Sequence, residues 1–228
     1  MAFGHVPQVR TFFDRQYASH ERYWWRGENR YSIDPTVHTE FYATLLAVAA
    51  RRGSGVALDL GAGEGADAIR LAKLGYKVDA VEVSTVACEK IERFAWSQGV
   101  RINVRNEPME TVDLTGSSYD VVLMNGCLHY VRDKSRMLRR VLDASAADAV
   151  HAVAVFSTAT PVPAEHAVVP VFPDEEGGGV ERFYQDWEML LHAYQRGRRE
   201  HSHPGFAPHV HSHIKLIATR KTCAAGDR

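Results

Sequence analysis

The chain has 228 residues, enough for one sizeable hydrophobic core, so one domain is expected. Lys and Arg number 27 against 28 Asp and Glu, a net charge of −1, which excludes the basic excess that drives nucleic-acid binding. No apolar run approaches the ~20 residues of a membrane span, which excludes a helical membrane protein. Cys88, Cys127 and Cys223 are odd in number and far apart, so neither a disulfide framework nor a zinc ribbon is expected. With no signal-peptide pattern over Met1–Arg15, the expected location is a reducing cytoplasm.

In chain order, Pro7–His20 and Thr36–Ala50 read as helices joined by the aromatic, basic stretch Tyr23-Trp24-Trp25-Arg26. Tyr17, Tyr23, Trp24 and Trp25 suit either core packing or a lid over a reaction site, while Arg22, Arg26 and Arg30 beside them suit a carboxylate. Val56 to Gly65 then reads as a buried strand stopping at a glycine turn, with a helix from about Glu64 to Leu74 and Gly75 as its stop. Strands are expected at Lys77–Glu82, Val100–Arg105, Tyr119–Met124 and Ala149–Phe156. Helices are expected from the cap Ser84 to Gln98 and over Asp133–Leu142. That alternation points to an α/β fold with a mostly parallel sheet. After Phe156 come a proline-rich irregular stretch (Pro161, Pro163, Pro170, Pro173), a short helix near Glu181–Asp186, and two strands, Met189–Arg196 and Ile214–Arg220, expected to pair antiparallel.

The glycine turn carries the most chemistry. Gly61, Gly63 and Gly65 let a ligand lie against the backbone and the following helix N-terminus, a pattern that several nucleotides satisfy. Asp59, at the strand end two residues before Gly61, separates the readings: it repels a pyrophosphate and attracts a ligand bearing an ammonium and a sulfonium, which points to S-adenosylmethionine (SAM). Glu82 ends the second strand, where a carboxylate accepts from two ribose hydroxyls, with Val83 beside it. Asn106 and Glu107 follow the third strand. Either can meet an adenine amino group, because Pro108 has no N–H to give the ring. Asn125 and Gly126 end the fourth strand at the ligand-binding edge, and His129 and Tyr130 come just after. His201, His203, His209, His211 and His213 invite a metal reading, but no Cys or carboxylate stands at ligand spacing, so no metal is expected.

Asp59-Leu-Gly-Ala-Gly-Glu-Gly, Glu82, Tyr119-Asp-Val-Val-Leu-Met-Asn and Leu128-His-Tyr-Val together resemble a class I SAM-dependent methyltransferase over Val56–Phe156. Arg182-Phe-Tyr-Gln-Asp-Trp-Glu, His201 and His213-Ile-Lys-Leu-Ile-Ala-Thr-Arg-Lys resemble the tellurite-resistance-type branch. In that branch a histidine equivalent to His201 and a basic position near His209 serve the acceptor. The resemblance implies a Rossmann-like fold of seven strands, one of them antiparallel, with helices on both faces and a helical N-terminal cap. It divides as cap 1–52, SAM-binding core 53–158 and acceptor-side segment 159–228. It also implies SAM as donor, S-adenosylhomocysteine (SAH) as product, and methylation of O, N or S on a small molecule by a monomer or homodimer. His129 and His201 are the candidate bases. Tyr17, Tyr23, Trp24, Trp25, Arg26, Tyr130, Arg182, Tyr184, His209 and His211 are the candidate acceptor contacts. The large cap and its aromatic residues favour an organic or natural-product acceptor over a tellurite or selenite oxyanion. Two other classes stay open: an NAD-type oxidoreductase, and a SAM-binding regulator or cyclase that transfers no methyl.

Overall fold

Small and branched residues alternate along β1 (Gly55–Leu60) so that both its faces can be covered: Leu58 and Leu60 enter one core, Ala57 the other. In the computed structural model, which describes residues 6–23, 39–161, 179–200 and 208–221, β1 pairs in parallel with β2 (Tyr76–Val81) and β4 (Tyr119–Asn125). The expectations for Trp24, Trp25, Arg26, Arg30, the stretch 162–178, His201, His203 and Cys223 lie outside the described residues. β3 (Asn103–Arg105) extends the sheet beyond β2, and β5 (Ser145–Phe156) beyond β4. β7 (His209–Arg220) then runs antiparallel to β5, and β6 (Trp187–Glu200) antiparallel to β7, giving the order β3-β2-β1-β4-β5-β7-β6. β7 is thus the one reversed strand of seven, and β6 again runs parallel to β5.

Helices α2 (Glu40–Arg52), α3 (Ala66–Lys73) and α4 (Thr85–Ser97) pack on one face through Phe41, Leu45, Leu71 and Ile91. α5 (Lys134–Asp143) covers the other through Met137, Leu138 and Val141. The expected Ser84 cap forms, its Oγ accepting the Ala87 N–H, and Asp133, expected inside the helix, instead caps α5 by accepting the Arg136 N–H. α1 (Val6–Ala18) lies outside these layers, against α4. No helix among the described residues is long and apolar enough to cross a membrane. Strand order reverses between β1 and β4, so their carboxyl ends open a crevice of the kind in which α/β sheets bind ligands.

The last two strands are longer than expected: β6 runs from Trp187 to Glu200 and β7 begins at His209, because the two pair past the sheet through two bulges. The histidines that look like turn residues therefore stand on β7, where alternation puts His209, His211 and His213 on one face.

At the amino edge, Arg52 closes α2 onto the sheet. Its guanidinium donates to Asp120 Oδ1 at 2.7 Å, Asp148 Oδ1 at 2.6 Å and the Asp148 carbonyl at 2.7 Å, while Asp120 Oδ2 accepts the Val56 N–H at 2.8 Å. Arg52→Ala is expected to cost about 1–2 kcal/mol in urea denaturation, allowing for the partial exposure of these groups. SAH affinity of the folded variant should be unchanged, since the clamp lies opposite the crevice.

Candidate functional site

The turn after β1 is fastened to β2 by the N–H groups of Gly61 and Ala62, both donating to the Val81 carbonyl at 2.8 and 3.1 Å. Gly61 and Gly63 have φ of +66° and +55°, where a side chain is strained. A Cβ on Gly61 would also run into Cys127 Cβ, and one on Gly63 would meet the Tyr17 hydroxyl at 2.9 Å. The turn is therefore bare backbone, and Gly65 is the N-cap of α3.

Glu82 stands over this turn. One carboxylate oxygen accepts the Gly63 N–H and the other the Ser84 N–H, each at 2.8 Å. Burial pushes its carboxyl up to about 7, against the lowering effect of the Ser84, Gly63 and Val83 amides. A cleft begins here, lined by Gly61, Glu82, Val83, Glu107, Met109, Tyr130 and Val131, with Val6 and Val9 of α1 along its upper side. Glu107 is the residue after β3 that reaches this cleft. Asn106 does not line it: its amide donates to the Glu82 and Val83 carbonyls at 3.0 and 3.2 Å, and its oxygen accepts from Thr85. Asn106 thus braces the backbone behind Glu82, which corrects the expectation of an adenine contact through its side chain.

Across the glycine turn lies a buried polar group. Asp59 is 2% exposed, and its Oδ2 has no hydrogen-bond partner among the described residues. Burial first, then the neighbouring Asp67, drives its carboxyl well above the usual range. Asn125 Nδ2 donates to the Tyr42 hydroxyl at 2.7 Å and to Asp67 Oδ2 at 3.1 Å, and Asp67 is paired with Arg70. Gly126, at φ +73°, turns the chain out of β4 with its N–H on the Ala154 carbonyl.

Beyond β4 and β5 is a wall of rings. His129, on the 3-10 turn Leu128–Tyr130, stacks on Phe156 at 3.8 Å and 4°, and His211 stacks on the other face of Phe156 at 4.0 Å. His213 meets Phe156 at 5.1 Å, and His209 meets His211 at 4.6 Å. His213 is held down to about 4 by burial, Lys215 and Arg198, which keeps it neutral. Among the described residues no three His, Cys, Asp or Glu converge as metal ligands. Tyr130 lines the cleft and meets Phe13 edge-on at 5.2 Å; Tyr17 roofs Gly63; and Tyr23 is buried, its N–H on Glu64 Oε1.

Arg182 and Tyr184 do not join this site. They belong to the 3-10 turn Val180–Tyr184, which leads into the first residue of β6. β6 runs parallel to β5, so that turn sits at the amino edge, opposite the cleft. Tyr184 is buried with its hydroxyl 2.9 Å from His151 Nδ1, and Arg182 is exposed and donates to the Gly179 carbonyl. Their role is to anchor the return of the chain, not to meet an acceptor. The sequence reading missed Tyr42, Asp67, Arg70, Met109, Phe156, Val6 and Val9, and it weighed His213 only as a metal ligand. Asp67 and Arg70 carried a signal, an acid and a base at i, i+3 just after the glycine turn. Val6 and Val9 carried none, because only the docking of α1 makes them cleft walls.

The groups present fit SAM. The unsatisfied Asp59 oxygen suits an ammonium, Glu82 suits vicinal hydroxyls, and the side-chain-free turn admits a ligand against its backbone.

Residues 57–152 match the family model described as a methyltransferase domain. A comparison with curated proteins finds no match. Among solved structures, the chain is similar to the 1,6-didemethyltoxoflavin-N1-methyltransferase of Burkholderia thailandensis, crystallised with 1,6-didemethyltoxoflavin and SAH. The identity is 18%, covering 97% of this chain and 91% of that one, with a TM-score of 0.65. It is similar to the magnesium protoporphyrin IX methyltransferase of Synechocystis, with bound SAM, at 16% identity, 95% and 97% coverage and a TM-score of 0.64. TehB of Haemophilus influenzae matches at 16% identity over 73% of this chain, with a TM-score of 0.62, and this chain spans 57% of TehB's length. At these identities the structures establish a shared fold, that of class I methyltransferases.

Proposed function

We propose that the chain, whose residues 57–152 match a methyltransferase domain, is SAM-dependent and methylates an organic small molecule bearing a nucleophilic O, N or S. The observation that carries the donor half is the pair of buried acids about the glycine turn: Glu82 preset by two amides, and Asp59 with an oxygen unspent. When bound, SAM supplies an already activated methyl group, so the protein's share is alignment in a dry pocket. In this reading Asp59 holds the ammonium, Glu82 the ribose hydroxyls, and Glu107 the adenine edge, with Val83 and Met109 against its faces. Asn125 and Gly126 border the methyl-bearing end.

The acceptor half rests on the rings. Phe13, Tyr130, His129, Phe156, His211 and His213 offer a broad, largely uncharged face, which supports a planar organic acceptor better than a bare oxyanion. His129 is placed to take the proton of a hydroxyl or ammonium acceptor, with His201 as the second candidate. The near-neutral overall charge supports a small molecule over a nucleic acid as the acceptor, and the enzyme is proposed to be cytoplasmic and monomeric or homodimeric.

Calorimetry with SAH and with NAD tests the donor: micromolar SAH binding is expected, and binding of NAD without SAH would overturn the assignment. SAH release is then measured with aromatic hydroxyl, amine and thiol acceptors beside tellurite and selenite. Release with the oxyanions alone would replace the organic acceptor by an inorganic one, the reading that the TehB likeness favours.

A further inference from the structure

Helix α1 lies lengthwise over the donor cleft. Val6, Val9, Phe13 and Tyr17 recur at helical spacing: the first two wall the cleft, Phe13 meets Tyr130, and the Tyr17 hydroxyl covers Gly63. Yet of its 13 residues only Val9 and Tyr17 are buried, little apolar area to hold a helix in place. Polar ties do most of the holding, and they differ between its two ends.

At the carboxyl end the tie is deep. Lys90 of α4 is 5% exposed and spends three donors on the Tyr17 carbonyl at 2.7 Å, the His20 carbonyl at 2.6 Å and Glu64 Oε1 at 2.8 Å. Glu64, 1% exposed and part of the glycine turn, accepts the Tyr23 N–H with the same oxygen. Nearer the amino end the ties are shallower. Arg10 Nε donates to the Val83 carbonyl at 2.9 Å, and Asp14 Oδ1 accepts the Ser84 hydroxyl at 2.6 Å, both part-buried. Their partners are the two residues that follow Glu82, and Ser84 also gives its N–H to Glu82. The latch thus grips the backbone that sets the ribose-binding carboxylate.

We infer that α1 is the gate of the donor cleft, pivoting on Lys90 and Glu64 and latched by Arg10 and Asp14. All four are positioning residues for SAM. The inference rests on reading the cleft as the SAM cleft. Since Val6 and Val9 wall it, lifting the amino end of α1 widens the path for donor entry and product exit. The buried ammonium keeps the other end seated on the glycine turn meanwhile.

The test is SAH release by stopped flow, with hydrogen exchange over residues 6–23. For Arg10→Ala with Asp14→Ala, the loss of two part-buried hydrogen bonds should speed SAH dissociation about tenfold. Exchange should rise over residues 6–14 alone, with the thermal midpoint of the SAH-free protein within about 3 °C of wild type. Lys90→Met should free the whole of 6–23. SAH-dependent protection of 6–14 in the wild type is also expected. Wild-type SAH binding with unchanged release from the latch variant, or with no protection of 6–14, would overturn the gate alone. Failure of the wild type to bind SAH would overturn the cofactor reading with it.

Discussion

Glu82→Gln is expected to weaken SAH binding by roughly 100-fold or more while the protein stays folded. Two charge-assisted hydrogen bonds to the ribose are at stake, each worth about 1.5–3 kcal/mol. Glutamine keeps one acceptor and presents a donor where the second hydroxyl needs an acceptor. Folding should change little, because two effects oppose. Removing the buried charge relieves a desolvation cost, and losing one acceptor leaves either the Gly63 or the Ser84 amide unpaired.

The same residue sets a pH dependence. Its folded carboxyl is raised from 4.5 to about 7, so the proton is held more tightly in the folded, ligand-free state than in the unfolded chain. That contribution to stability is fully present below about pH 4.5 and is lost as pH rises through about 7. Ribose hydroxyls favour the carboxylate, so binding SAH should expel the proton. Affinity should therefore rise with pH up to about 7 and level off above it. Calorimetry in buffers of different ionisation enthalpy reads the released proton directly. A flat affinity from pH 5.5 to 8, or an unchanged affinity in Glu82→Gln, would remove Glu82 from the ribose.

His129→Ala is expected to lower kcat by about 100-fold with a hydroxyl acceptor and to leave SAH affinity as in the wild type. Four histidines face this region, but they are not equivalent. His213 is held near 4, and a base that gives up its proton so readily drives proton abstraction poorly at neutral pH. His129 and His211 are both buried and lie on opposite faces of Phe156, and His129 is the one that meets Tyr130 of the cleft, at 4.5 Å. His129 follows β4 directly, beside Tyr130 of the cleft, with its ring plane fixed by the 3.8 Å stack on Phe156. The pH profile of the wild type with a hydroxyl acceptor should differ from that of the alanine variant, which has no base at this position. With a thiolate acceptor, which needs no base, the two proteins should differ by no more than about threefold. Equal rates and equal pH profiles with a hydroxyl acceptor would assign His129 to packing.

The donor half of the site was legible in the sequence because it is local. Asp59, Gly61, Gly63 and Glu82 sit at strand ends whose hydrophobic runs mark them, and parallel pairing of β1 with β2 brings them together. The acceptor half depends on long-range register. Arg182 and Tyr184 share a motif-like run with the start of β6, yet strand direction sends them to the opposite edge. Phe156 looks like any strand-end aromatic until β7 lays His211 and His213 against it. Asn106 and Glu107 are neighbours with similar hydrogen-bonding capacity. Their different places come from their partners: the Asn106 amide donates to the Glu82 and Val83 carbonyls, while Glu107 accepts from Arg105 and lines the cleft.

The reversal of β7 has a consequence for how such a chain can diversify. Because β7 begins where β5 ends, residues 209–213 stand at the carboxyl edge of the sheet, the edge that carries the glycine turn. The residues reading the donor fall between Asp59 and Val131 apart from the lid helix. Those shaping the far wall cluster at Phe156 and at 209–213. Given the proposed acceptor wall, changes in 209–213 alter acceptor preference while the segment between Asp59 and Val131 stays fixed, and a grafted 209–213 segment tests that separation.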